Sequence, residues 1–167
     1  MVAVTNDALI KAMKEKGREV QVQEETGQIL EILKIGEREF PLFIRIMDGN
    51  SLVQLLSFFP VTVQEKTIPD LARLLHLLNK ELDIPGFGLD ETASVAFYRC
   101  MIPVVDGEIP DTVFHGFLNS VQIVCETFSP AVEAVAGAHA TFEELLKKAE
   151  EEKKRVEAEQ KSKADGK

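Results

Sequence analysis

The chain has 167 residues, a formal net charge of −9 and a sequence pI near 4.9. Apolar residues make up 45% of it, enough for one buried core, and the aromatic load is ten Phe against one Tyr and no Trp. This balance excludes a uniform nucleic-acid footprint, which needs clustered Lys and Arg. No apolar run approaches the roughly 18 residues that a membrane-spanning helix requires.

The charge is unevenly placed. Residues 1–140 carry all of the −9, while residues 141–167 balance to zero. The field of the first part disfavours DNA and anionic membranes and favours basic or amphipathic partners. Residues 1–16 contain no long apolar h-region, so a cytoplasmic location is expected. Cys100 and Cys125 both lie in apolar runs and read as buried free thiols, not as a disulfide framework.

In chain order, Thr5, Asn6 and Asp7 can cap a helix carrying Leu9, Ile10 and Met13 at helical spacing, with Gly17 as its stop, which predicts a helix over 6–16. Val20 and Val22 flank Gln21 in a short extended piece. Three β-branched or aromatic runs follow, over 29–35, 40–47 and 52–59. They are separated by turns at Gly36 to Glu39 and at Asp48-Gly49-Asn50, and the last run ends at Pro60. Such runs predict an antiparallel meander. Thr67, Pro69 and Asp70 then open a Leu-rich helix that stops near Asp83. A short strand near Phe87-Gly88-Leu89 and a longer one over 94–105, with Pro103 near its end, come next. Ile109-Pro110-Asp111 opens a long helix with Val113, Phe114, Phe117, Leu118, Val121, Val124, Cys125 and Phe128 in a broad apolar stripe. Pro130 predicts a kink or break in it, and Gly137 a stop. From Thr141, a capping box with Glu144 starts a charged helix to about Gln160, with a thin stripe of Phe142, Leu145, Leu146, Ala149 and Val156. Glu143/Lys147, Glu144/Lys148, Glu150/Lys154 and Glu151/Arg155 are spaced for i,i+4 pairing. Residues 161–167 are expected to be disordered.

The expected fold class is therefore α+β. One antiparallel sheet has helices packed mainly on one face, in the order α-β-β-β-α-β-β-α, with a C-terminal charged helix. Two units are expected: a domain over 1–140 and a helical tail over 141–167.

Three stretches in this order carry a family resemblance. They are the strand-turn-strand unit from Phe40 to Phe59, the Leu-rich helix Leu71–Asn79 followed by Phe87-Gly-Leu-Asp90, and Tyr98-Arg-Cys-Met-Ile-Pro103 with the acidic turn and the helix from Pro110 through Pro130. With them, most of residues 5–136 resembles the YbjN domain family, whose fold is similar to type III secretion chaperones. Its members are described as bacterial sensory-transduction regulators or chaperone-like proteins. The resemblance implies a homodimer that binds a segment of another protein, and it brings no catalytic signature. The tail after Ala140 departs from the family pattern.

The residues themselves offer little chemistry. His76, His115 and His139 lack metal-ligand spacing, and His76, on the Leu-rich helix, reads as structural. His115 and Cys125 are ten residues apart on one helix, about 15 Å of rise, and cannot pair. Asp106, Glu108 and Asp111 could form a loop calcium site, but a turn leading into a helix start explains them better. No nucleophile elbow, GxGxxG or Walker motif occurs. No cofactor or metal is expected, and the chain is read as non-enzymatic.

The positive signal is apolar excess. Leu55, Leu56, Phe58 and Phe59 make both faces of one strand apolar, whereas a one-sided sheet needs only alternation. Phe58, Phe59, Phe114, Phe117 and Val121 are the candidate partner or dimer surface. The expected function is a chaperone-like or regulatory module that covers an apolar segment of a partner protein as a homodimer. The alternatives are an adaptor acting through the C-terminal helix, or an enzyme whose polar pocket joins Asp106, Arg99 and His76.

Overall fold

The structure, a computed structural model, describes residues 1–165. Its frame is a six-stranded antiparallel sheet made of β2 (Val20–Val22), β3 (Ile29–Ile35), β4 (Arg38–Ile46), β5 (Leu52–Phe58), β6 (Phe87–Asp90) and β7 (Val95–Pro103), in the spatial order β2-β3-β4-β5-β7-β6. A second, two-stranded ladder pairs β1 (Val2–Ala3) with β8 (Glu108–Ile109) and pins the N-terminus beside the start of the long helix. The helices are α1 (Asn6–Glu15), α2 (Ile68–Glu81), α3 (Asp111–Ala136) and α4 (Phe142–Asp165). The α+β class, the antiparallel sheet and the element order match the expectation, and the extended piece at Val20 joins the sheet as its edge strand.

Period-two alternation decides which side chains enter the core. Ile29 and Leu33 of β3, Phe40, Leu42 and Ile44 of β4, Val53 and Leu55 of β5, and Ala96, Tyr98, Cys100 and Ile102 of β7 point to the helices and are buried. Against them α3 lays Phe114, Leu118, Val121, Cys125 and Val132. The one polar side chain that β5 sends inward, Ser57, meets Cys125 Sγ at 3.5 Å. Four inner aromatics make edge or tilted contacts in a chain: Phe40–Phe59, Phe59–Phe87 and Phe87–Tyr98, with ring centroids 5.2–5.8 Å apart. Tyr98, the single aromatic with a polar tip, donates its hydroxyl to the Ile84 carbonyl at 2.7 Å.

Three details of the helices differ from the sequence reading. Pro130 neither ends nor breaks α3, which runs on to Ala136. Pro130 and Glu126 both lie on the exposed side, where the carbonyl that loses its partner can be hydrated. The charged helix continues to Asp165, so residues 161–165 are helical, while residues 166–167 lie outside the described residues. Its capping box forms as expected, with Thr141 N donating to Glu144 Oε2 at 2.8 Å and Glu144 N to Thr141 Oγ1 at 3.2 Å. The i,i+4 pairs do not fall where spacing placed them. Glu144 serves the cap, Glu143 turns to Arg73 of α2 at 2.8 Å, and the tail pairs are Lys147–Glu151 and Arg155–Glu152.

Docking of α4 is confined to its first turn. Phe142 is buried under the Arg73 guanidinium, 4.3 Å from the ring centroid, and Asp70 Oδ2 accepts from Phe142 N at 3.1 Å. From Lys147 to Gln160 every residue is exposed.

The start of β6 hangs on one side chain. Asn79, near the end of α2, accepts from Gly86 N and Phe87 N through Oδ1 at 2.9 and 2.8 Å, and donates through Nδ2 to the Phe87 carbonyl at 2.9 Å. A side chain at Gly86 would meet the Arg99 carbonyl, so the loop passes against β7 with no room to spare. Asn79→Ala therefore strands two amide donors in a half-buried loop. It is expected to lower unfolding stability by about 2–3 kcal/mol in a urea titration, with the m-value unchanged.

Candidate functional site

All four helices contribute to the core on the inner side, so among the described residues no protein layer lies over the other face of the sheet. That outer face is apolar. Leu30 and Ile32 of β3, Pro41 and Phe43 of β4, Leu52, Leu56 and Phe58 of β5, and Phe97 and Met101 of β7 alternate outward, and none of them packs against the core. The register sets Leu30 opposite Phe43, Phe43 opposite Leu56, and Phe58 opposite Phe97. Three rings form a ladder across the strands, with Phe43–Phe58 at 5.9 Å and Phe58–Phe97 at 6.3 Å, both edge-on. Gly88 of β6 is what lets the ladder lie flat, because a Cβ there would strike the Phe97 ring. Around this patch stand Arg45 and Arg99, the latter with its guanidinium 5.6 Å from the Phe97 centroid. Lys34 and Glu39 sit opposite each other in the register at the patch corner. The local charge thus runs against the net −9 of the chain.

Of the five residues expected to form a partner surface, this geometry keeps one at the centre. Phe58 lies in the outer ladder. Phe59, Phe114 and Val121 are buried in the chain's own core, because each falls on the inward phase of its strand or helix. Phe117 is half-buried against that core on α3. Sequence periodicity revealed the surplus on β5, Leu56 included, but not Phe43 and Phe97, which join Phe58 only through cross-strand register.

A second feature is polar. At the sheet edge, beyond the end of β2, the α1–β2 loop, β3 and α3 border an open cavity of about 760 Å³. Arg18 crosses it. One of its guanidinium nitrogens donates to both oxygens of Glu31, at 2.9 and 3.0 Å, and the other to Asn119 Oδ1 at 2.7 Å. Both members of this ion pair are desolvated, with side-chain exposures of 12% and 8%. Burial raises the Glu31 pKa above the usual carboxylate value, and Arg18 opposes that rise through its charge and hydrogen bond. His115, one turn before Asn119, is 12% exposed, and its Nε2 is buried without a hydrogen-bond partner, 3.6 Å from Asp111 Oδ1. Burial lowers its pKa; Lys16 and Arg18 act in the same sense, and Asp111 and Glu15 act against them.

Residues singled out for catalysis or metal are dispersed. His76 is exposed on α2, Arg99 stands on the outer sheet face, and Asp106 is in the β7–β8 turn. Asp106 and Gly107 both have positive φ, 53° and 77°, in a two-residue turn closed by Val105 and Glu108 hydrogen bonds, which is hairpin chemistry. Among the described residues no three His, Cys, Asp or Glu side chains gather as metal ligands. Cys100 and Cys125 are free, and burial pushes their thiols up to about 12 and about 11, so neither is a thiolate at neutral pH. No described helix is long and apolar enough to cross a membrane.

Two measurements follow from the buried pair and the histidine. Glu31→Leu is expected to cost about 3 kcal/mol by stranding Arg18, and adding Arg18→Met should recover more than half of that loss in urea unfolding. His115 has a folded pKa below its ordinary value of 6.5, so the unfolded chain takes up its proton first and stability falls as pH drops through that range. His115→Gln should flatten the decline in Tm between neutral pH and about pH 5.5, whereas the raised pKa of Glu31 acts in the opposite direction and remains.

Comparison with known proteins agrees with this architecture. No curated protein matches the chain in sequence. The crystal structure of "YbjN, a putative transcription regulator from E. coli" superposes with a TM-score of 0.59 at 14% identity, covering 83% of this chain and 96% of that one, a likeness of fold. Residues 5–134 match the YbjN family, described as "Putative bacterial sensory transduction regulator", and the chain belongs to that family.

Proposed function

We propose that the chain is a non-catalytic regulatory binding module that holds an apolar segment of a partner protein on the outer face of its sheet. The observation that carries this reading is the uncovered Phe43–Phe58–Phe97 ladder. Its rings are half-buried against one another, and contiguous apolar surface left partly open in this way marks interaction sites. The regulator description of the family supports it.

Size and charge favour one occupant. Four strands about 4.8 Å apart, each contributing about 20 Å, give a footprint of roughly 400 Å². A stable interface between whole proteins takes about 800 Å² from each side. A single amphipathic helix or extended segment fits the smaller figure better than a second copy of the sheet. Arg45 and Arg99 beside the patch favour a segment with acidic side chains flanking its apolar stripe. The acidic character of the whole chain pointed to basic partners; the field at this face points the other way.

Two synthetic amphipathic peptides with the same apolar stripe, one with Glu and one with Lys on the polar face, provide the test by fluorescence anisotropy. The Glu peptide is expected to bind, and Phe58→Glu to weaken it by at least about tenfold while leaving Tm near that of the parent. Binding of neither peptide, or equal binding to the Phe58→Glu chain, overturns the proposal. Sedimentation of the parent and of the Phe58→Glu chain separates the remaining occupant. A dimer abolished by Phe58→Glu makes the face a self-interface and sinks the segment reading.

A further inference from the structure

The edge cavity adjoins the proposed binding face, sharing Ile32 and Lys34 with its corner, but it holds none of the aromatic ladder. Its composition is unusual for this chain. In a protein of net −9, the lining holds Lys16, Arg18 and Lys34 against Glu19 and Glu31. Arg18 and Glu31 satisfy each other and form a fixed wall. What remains along the space is two lysines against the single carboxylate of Glu19, the ring of His115, and the amides of Asn119 and Gln122.

These groups come from three elements by design of the local sequence. His115, Asn119 and Gln122 are spaced i, i+4 and i+7 on α3, so they form one polar stripe on a helix whose neighbouring faces are apolar. Lys16 stands at the end of α1, just before the Gly17 turn. Lys34 lies on β3 past the point where β2 stops pairing, so no neighbouring strand closes the cavity there. The volume, about 760 Å³, falls within the roughly 300–1,000 Å³ range of small-molecule sites, but the lining is polar where such sites are mostly apolar. A hydrophilic ligand suits it.

His115 Nε2 is the second, independent pointer. A buried ring nitrogen without a partner is rare and marks a group whose partner is supplied from outside. Burial favours the neutral ring, so the positive charge comes from the two lysines, while the ring and the amides add directional hydrogen bonds.

We propose that this cavity is an effector site for a small oxyanion, a carboxylate or phosphate, held by Lys16, Lys34 and His115 with Asn119 and Gln122 as hydrogen-bond partners. The site shares no residue with the Phe43–Phe58–Phe97 ladder, so either proposal can fail without the other. Occupation would clamp the α1–β2 loop, β3 and α3 together through one ligand.

Inorganic phosphate and succinate are the probes, titrated into the full chain at constant ionic strength set with sodium chloride. The readout is the ring resonance of His115 by NMR, assigned with His115→Gln, with His76 and His139 as internal controls. A saturable shift at His115 alone is expected with at least one probe, and the probe that saturates tells phosphate from carboxylate. Lys16→Ala/Lys34→Ala, both exposed positions, should weaken it by about tenfold or more with an unchanged melting curve. The Phe58→Glu chain should bind the same probe as the parent does. Equal shifts at all three histidines, no saturation with either probe, or full binding by the double lysine variant overturns the proposal.

Discussion

Helix α3 lies across the inner face of β5 and β7, and the burial of Phe114, Leu118, Val121, Cys125 and Val132 against Leu55, Tyr98 and Cys100 is the contact on which the rest depends. Each fully buried side chain of this size contributes about 1.5–3 kcal/mol, so this one seam outweighs any surface pairing in the molecule. It also fixes the orientation of everything else. With α3 on one side, the strand phase that meets it becomes core, and the opposite phase has to face outward. The cross-strand aromatic ladder is the consequence of that choice, since the outward residues of β4, β5 and β7 include Phe43, Phe58 and Phe97.

The same helix links the two features that bear on function. Its apolar stripe seals the sheet, while the polar stripe of His115, Asn119 and Gln122 reaches the edge cavity. The Arg18 bridge from Glu31 to Asn119 ties that stripe to β3, with Arg18 itself 101 residues before Asn119. A ligand contacting α3 and β3 together would therefore press on the layer contact that orders the sheet. This is the physical link expected between a small effector and a protein-binding face in a regulator.

Much of the fold could be read from the residues because it rests on local rules. Gly49 adopts φ of 76° in the β4–β5 connection where Asp48-Gly49-Asn50 announced a turn, and Thr5 caps α1 through Ala8 N. Pro130 shows where a local rule misleads, since its cost depends on whether the freed carbonyl meets water, and that is a tertiary matter. The paired doublets Leu55-Leu56 and Phe58-Phe59 announced surplus apolar surface, yet only register tells that Leu55 and Phe59 go in while Leu56 and Phe58 stay out. The edge cavity left one faint trace in the sequence, a polar stripe at 115, 119 and 122 on an apolar helix. The partners of that stripe, Arg18 and Glu31, come from the other end of the chain, beyond the reach of any spacing rule.

The docked first turn of α4 sets up a separation of electrostatic regimes. About 19 helical residues beyond it, to Asp165, span about 28 Å, nearly three times the Debye length of about 10 Å at 0.1 M salt. The far part of this helix, with positive and negative side chains in balance, therefore stands largely outside the screened field of the acidic domain. Copies of the domain repel one another at close range, but a molecule arriving at the tip of α4 meets a neutral rod and feels little of that repulsion.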